Sequence, residues 1–350
     1  MNKLTKVGLS ALCGSLAAVS SANAGEMTVT GGVDMSWMSK DEATTGNPIG
    51  MGSNLTYKGS GELDNGWTFG VTVAMLNGNA YSTTAVNIDM LGLGSLNINQ
   101  GDSGNGLDAL DDKMPTAWEE AWGMGLGTGI QLVNGVGPES NIQYTFPSAY
   151  NITAVVAVAP DMGAADSNDK GSSGAGAADT TGAGYDLTIN VNPSLGTEIL
   201  SGLNLFTGAH LTEVYQSTTV QDAFEGTFGG TFSLGPVSIG GAYAAISTGN
   251  TVTTTAADWY KNSMYGISFN INDDLSVSYA EHSSRQGKVN ETATAGDSAN
   301  NTLEVQSMQI AYTMGGASVR VAKSDVDNAN YSTAKADDKS ATVVSVSLAF

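Results

Sequence analysis

The chain has 350 residues and a formal charge of −21, from 34 acidic and 13 basic side chains. Such acidity argues against nucleic acid as a partner, because phosphate binding needs clustered Lys and Arg; it suits divalent cations or a cation pathway. Charged residues are only 13% of the total and Gly numbers 45. Past the N-terminal segment no apolar run reaches the roughly 18 residues of a transmembrane helix, which leaves a soluble all-β protein or a membrane β-barrel.

Lys3 and Lys6 precede the apolar stretch VGLSALCGSLAAVS, and Ala22-Asn23-Ala24 is an A-x-A cleavage signal. Residues 1–24 are therefore expected to be a secretory signal peptide, and residues 25–350 a single domain. Cys13 raises a lipoprotein reading, but Leu12 before it is not the small residue such a signal needs. No other cysteine exists, so the mature chain takes its stability from its fold and not from disulfides. Losing Lys3 and Lys6 takes the basic residues from 13 to 11 and the charge from −21 to −23.

Period-2 alternation dominates the mature chain. Trp67, Phe69, Val71, Val73 and Met75 oppose Thr68, Gly70, Thr72 and Ala74. Tyr185, Leu187, Ile189 and Val191 oppose Asp186, Thr188 and Asn190. Tyr265, Ile267, Phe269 and Ile271 oppose Gly266, Ser268 and Asn270, and Val344, Val346, Leu348 and Phe350 oppose Ser345, Ser347 and Ala349. Sixteen strands are predicted, at 27–38, 49–62, 67–76, 84–91, 95–100, 130–146, 150–159, 184–192, 199–213, 223–233, 237–246, 259–271, 275–282, 302–314, 317–326 and 340–350. Tight turns such as LDNG (63–66), LGLGS (91–95), LGPV (234–237) and MGGA (314–317) alternate with long polar connections, of which 101–129 is the longest. Gly, Asn, Asp and Pro suit the φ values of the tight ones.

A soluble sandwich turns its apolar face inward and carries long loops at both ends. A membrane barrel turns that face outward and must close, since an open strand edge has no partner in hydrocarbon. It also has an even strand number, short turns on one side, long loops on the other, and aromatics near the interfaces. Trp37, Tyr57, Trp67, Tyr144, Tyr185, Tyr265 and Phe350 at strand ends fit the second pattern. The predicted fold is an all-β transmembrane antiparallel barrel. The alternative is a secreted β-sandwich or solenoid surface protein with no channel.

The chain opens with EMTVTGGVDMSW. SLNINQGDSGNGLDAL is succeeded by SNIQYTFPSAYNITAVVAV, and the last strand closes on Phe350. In these features the sequence resembles the general porins of the Gram-negative outer membrane, over the whole mature chain. The resemblance implies a sixteen-stranded barrel, a homotrimer, an outer-membrane location, and passive diffusion of ions and small hydrophilic solutes. It implies contact with outer-membrane lipid and lipopolysaccharide, and insertion by the assembly machinery, which reads Phe350. It also implies that the third long loop folds into the lumen as a constriction.

That loop carries Asp102, Asp108, Asp111, Asp112, Glu119 and Glu120 around the single Lys113. Ionised carboxylates in a narrow aqueous passage focus the field and concentrate cations; the bland reading is that they only solubilise the loop. Met114-Pro115 before TAWEEAWG is compatible with one or two helical turns, ending at Gly123. Trp118 and Trp122, four residues apart, would then share a face and anchor the loop. By alternation Asp34, Lys58 and Arg320 lie on the lumen wall. The porins resembled here commonly set a basic cluster opposite the loop acids, whereas this chain has only Arg285 and Arg320 as arginines. Cation preference is expected. Arg320 and Lys58 either face the acids across the passage or merely hold the loop by salt bridges.

Chemistry has little to stand on. The two histidines are His210 and His282, no G-x-S-x-G elbow is present, and an enzyme is not expected. No EF-hand or calcium-repeat spacing occurs, so no cofactor or dedicated metal site is predicted; weak Ca2+ or Mg2+ binding by acidic loops is compatible with DALDD, DSND and KSDVDN. The alternative within transport is a substrate-specific channel for a small cationic nutrient.

Overall fold

The computed structural model describes residues 24–40, 47–77, 82–101, 104–137, 139–163, 181–193, 198–215, 217, 220–251, 256–288 and 300–349. The expected signal peptide up to residue 23, Asp102 and Phe350 lie outside the described residues.

The described residues form sixteen strands. They are β1 (Ala24–Lys40), β2 (Ile49–Glu62), β3 (Thr68–Leu76), β4 (Thr83–Asp89), β5 (Ser95–Gln100), β6 (Asn141–Thr145), β7 (Ile152–Ala159) and β8 (Thr181–Val191) in the first half. β9 (Leu203–Val214), β10 (Ala223–Leu234), β11 (Val237–Ser247), β12 (Ala257–Asn270), β13 (Leu275–Lys288), β14 (Thr302–Met314), β15 (Ala317–Asp327) and β16 (Lys339–Ala349) complete the sheet. Each strand pairs antiparallel with its sequence neighbours, and β1 pairs with β16, so the barrel is closed. Closure leaves no free strand edge, as a bilayer demands.

The turns obey local chemistry. Between β2 and β3, Gly66 N–H donates to Leu63 O at 2.8 Å, and Asn65 Oδ1 accepts Trp67 N–H at 3.1 Å. Gly66 sits at φ +83°, a value a side chain would resist.

Burial is inverted relative to a water-soluble sheet. On β14, Met308 is 64% exposed on the outside while Ser307 and Gln309 on the inside are 1% and 4% exposed. Met35, Trp37, Phe228, Ile267, Ile310, Tyr312 and Leu348 are likewise exposed on the outer face. An apolar outer belt with a polar interior is the pattern of a lipid-facing barrel.

Three expectations need correcting. The strand expected over 130–146 is only Asn141–Thr145; residues 130–140 belong to the third long connection, which therefore runs from 101 to 140. The backbone there bonds to Glu225 and Asp186 of the barrel wall, and to Tyr331 of the β15–β16 connection, in place of a strand neighbour. β13 extends to Lys288, six residues beyond its predicted end, because it pairs with β12 as far as Ala257. Residues 199–202 lie in a short 3-10 turn ahead of β9.

The buried apolar clusters lie inside the barrel. Leu303, Val305, Val326, Ala329, Tyr331 and Ala341 from the wall region enclose Ala121 and Leu126 of the loop. Phe206, Ala242, Ala244, Ile246 and Met264 enclose Leu107, Leu110 and Val133. The long connection thus shares in the most extensive apolar packing among the described residues. Each fully buried Leu or Val there is worth about 1.5–3 kcal/mol.

Candidate functional site

The third long connection, loop 3, enters the barrel and lies along its wall. Its neck rests on a row of inward side chains. Asp186, His210 and Glu225 are direct cross-strand neighbours on β8, β9 and β10. Asp186 Oδ2 accepts the backbone N–H of Leu107 at 2.6 Å and of Val136 at 3.1 Å, so one carboxylate holds the outgoing and the returning limb. Asp186 Oδ1 pairs with His210 Nδ1 at 2.5 Å, and His210 Nε2 meets Thr212 Oγ1 at 2.6 Å. Glu225 Oε2 accepts Asn134 N–H at 2.7 Å and Gly135 N–H at 3.0 Å. Carboxylates accepting backbone N–H groups make the stronger class of hydrogen bond.

Past the neck, Met114 and Pro115 lie against Gly240 and Gly266, which are register partners on β11 and β12. A methyl group at Gly266 would stand 2.8 Å from Pro115 O, so the close approach depends on its absence.

The helical turns expected over 116–123 do not form. The wall takes the amides that a helix would use. Ala117 N–H donates to Ser278 Oγ at 2.8 Å, Trp118 and Glu119 N–H donate to Gln309 Oε1 at 2.9 and 3.1 Å, and Gln309 Nε2 donates to Glu119 O at 2.6 Å. Trp118 and Trp122 consequently do not share one helix face. Trp118 packs beside Met124, Ala322 and Val343, and Trp122 against the cluster around Leu303 and Val305.

The returning limb is also tied. Lys339 Nζ donates to Leu126 O at 3.1 Å and Gly127 O at 2.8 Å. Gln131 N–H donates to Tyr331 Oη at 3.0 Å, and Asn262 Nδ2 donates to Gln131 O at 2.8 Å.

The sequence-predicted residues occupy different settings. Arg320 points inward from β15, with Nη1 3.1 Å from Asp34 Oδ2 and its guanidinium 5.8 Å from the Trp118 ring centre. Ser345 Oγ donates to the other Asp34 oxygen. Asp34, Arg320 and the loop therefore meet at one place. Lys58 is exposed on the inward face of β2. Asp112 and Lys113 are the open part of the loop, with side chains 52% and 36% exposed and an N···O separation of 3.9 Å. At that exposure the pair contributes little stability.

The remaining acids are crowded and half buried. Burial, with Asp108, Asp112 and Glu120 adding repulsion and Lys113 opposing it, pushes the Asp111 carboxyl up to about 8. Burial and then a hydrogen bond to Glu120 push Glu119 up to about 8, against the pull of Arg320. Asp108 is raised by burial, although Gly104 N–H donates to its Oδ2 at 2.5 Å. At neutral pH, Asp111 and Glu119 are mostly protonated.

Asp186, Glu225, Ser278, Gln309 and Lys339, which hold the loop, were not identified as site residues from the sequence. The parity of β8 and β9 marks Asp186 and His210 as inward; their meeting with Leu107 and Val136 has no local signature.

A family profile described as Gram-negative porin matches residues 8–349. The chain belongs to the Gram-negative porin family. The porin is thereby an outer-membrane protein, and its family and fold are those of channels for small solutes and not of enzymes. Solved structures with the same fold include OmpF of Salmonella typhi in complex with daunomycin, at TM-score 0.68 and 12% identity over 93% of this chain and 98% of that one. An anion-selective porin from Comamonas acidovorans matches at TM-score 0.63 and 13% identity, over 93% and 99%. OmpT of Vibrio cholerae in its trimer form matches at TM-score 0.62 and 10% identity, over 93% and 100%. No curated protein sequence matches the chain.

Proposed function

We propose that this porin is a general diffusion channel with a preference for cations. Loop 3 bonds to inward side chains of β6, β8, β10, β12, β13, β14 and β16 among the described residues, which supports a passage between the loop and the wall of β2 to β4. The loop brings Asp111, Asp112, Glu119 and Glu120 with Lys113, and the facing wall brings Lys58.

The observation that carries the reading is the pairing of Arg320 with Asp34. It cancels one of the few inward cations, while Asp112 is half exposed to water beside Lys113. Fixed charge near a narrow aqueous path sets ion preference. Because a fold neighbour is named anion-selective, selectivity is assigned to these side chains and not to the barrel. Reversal potentials across a bilayer in a KCl gradient test the proposal: the sign for K+ over Cl− is expected, and the opposite sign refutes it. Saturable current block by a polyamine would instead support a substrate-specific channel.

The neighbour described in a trimer form supports a homotrimer for this chain. Contact with lipopolysaccharide is supported by Lys261 and Arg285, cross-strand partners on the outer face near the long-loop end, at 4.7 and 5.9 Å from the Trp259 ring centre. Such cations suit phosphate groups at the membrane surface. Removal of residues 1–24 on export, and recognition of Phe350 by the insertion machinery, complete the proposed route to the outer membrane.

A further inference from the structure

Loop 3 covers a small space that ion flow does not need. A cavity of ≈ 20 Å³ lies between the loop and strands β12 and β13, lined by Asp111, Asp112, Glu120, Met264, Ala280 and His282 among others. That is room for one water molecule or one ion. Carboxylates on the loop side would by themselves mean little. The wall supplies an independent observation. His282 faces inward from β13, is 3% exposed, and its Nε2 is buried without a hydrogen-bond partner. A buried polar nitrogen left alone is costly and rare. A cation between the carboxylates and the imidazole would satisfy the nitrogen.

We infer that Asp111, Glu120 and His282 form a binding site for a single transition-metal dication of the Zn2+ type. Imidazole together with carboxylates is a donor set for Zn2+ and its neighbours, whereas Ca2+ and Mg2+ are held by oxygen alone. Among the described residues no three such side chains already converge on one point. The inferred site therefore requires the loop carboxylates to move onto the ion. His282 is fixed in the wall, and the half-buried Asp111 and Glu120 turn onto the metal from the loop. Water completes the coordination. The bound ion ties the loop to β13 and cancels negative charge at the constriction.

The test is calorimetric titration of ZnCl2 into the full-length porin folded in detergent, a measurement that does not depend on conduction. One saturable Zn2+ per chain is expected. His282→Gln and Glu120→Gln should each weaken binding by more than about tenfold, since loss of a ligand costs at least as much as loss of a supporting residue. Retained heat-modifiable mobility on gels identifies folded variants. If His282→Gln does not fold, Glu120→Gln on the loop decides the matter. In bilayers, the same ZnCl2 should reduce the K+ preference of the wild type and leave that of the variants unchanged. The inference fails if the wild type shows no saturable binding, if folded variants bind as tightly as the wild type, or if CaCl2 competes as well as ZnCl2.

Discussion

Replacing Asp186 by Asn separates the loop from the barrel that holds it. The Asp186 side chain is 0% exposed, so water cannot stand in for it. Its Oδ2 receives two backbone N–H groups, from Leu107 at 2.6 Å and Val136 at 3.1 Å, and Oδ1 faces His210 at 2.5 Å. An amide offers one oxygen where the carboxylate offers two, and sets an NH2 group against either an N–H of the loop or the imidazole. At about 1.5–3 kcal/mol for each hydrogen bond to a charged group, losing one or two costs roughly 2–5 kcal/mol. The barrel ladder is untouched, so the loss falls on the docking of the neck. Hydrogen exchange at Leu107 and Val136 should accelerate about thirtyfold or more, at tenfold per 1.4 kcal/mol. Open-channel current noise should rise, while heat-modifiable mobility stays that of a folded barrel. Unchanged protection at both amides, with unchanged noise, would refute the idea of a carboxylate latch.

Further perturbations test the proposed constriction. Arg320→Ala removes the partner of Asp34 and the cation above Trp118; the K+ preference should increase, and a decrease in the reversal potential would contradict the charge assignment. Gly266→Val places a side chain where the first added carbon alone would be 2.8 Å from Pro115 O; single-channel conductance should change because the loop must lift, with gel mobility unaffected. The pH dependence has a definite sign. Asp111 and Glu119, raised to about 8, are protonated below that value and ionise above it. Between pH 7 and pH 9 they add negative charge beside Asp108, Asp112, Glu120, Lys113 and Arg320, so K+ preference rises with pH, with its midpoint near 8 in a series of reversal potentials. A flat profile across that window would show that the two carboxyls are ionised throughout.

The alternation of Val319 and Val321 around Arg320, and of Met308 and Ile310 around Gln309, is a local property of each strand, readable because side chains change face at every residue. Tight turns are local for the same reason: Asn65-Gly66 supplies its own hydrogen bond and its own positive φ. These local signals determine the class, the strand number and the inward parity of Asp34, Lys58 and Arg320. The path of loop 3 is not among them, because its partners are remote. Ala117 bonds to Ser278 across 161 residues of chain, and Trp118 to Gln309 across 191. A pattern that reads locally as a helix start loses to side chains that only the closed barrel brings near. The apolar inward residues Leu303, Val305 and Val343 obey the same logic. Alone they contradict a water-filled lumen; in the folded porin they meet Ala121, Leu126 and Met124 of the loop. The periodic backbone of this protein was thus written residue by residue. The path of loop 3 was decided only when the barrel closed, because its hydrogen bonds and its apolar contacts join segments that sequence distance keeps apart.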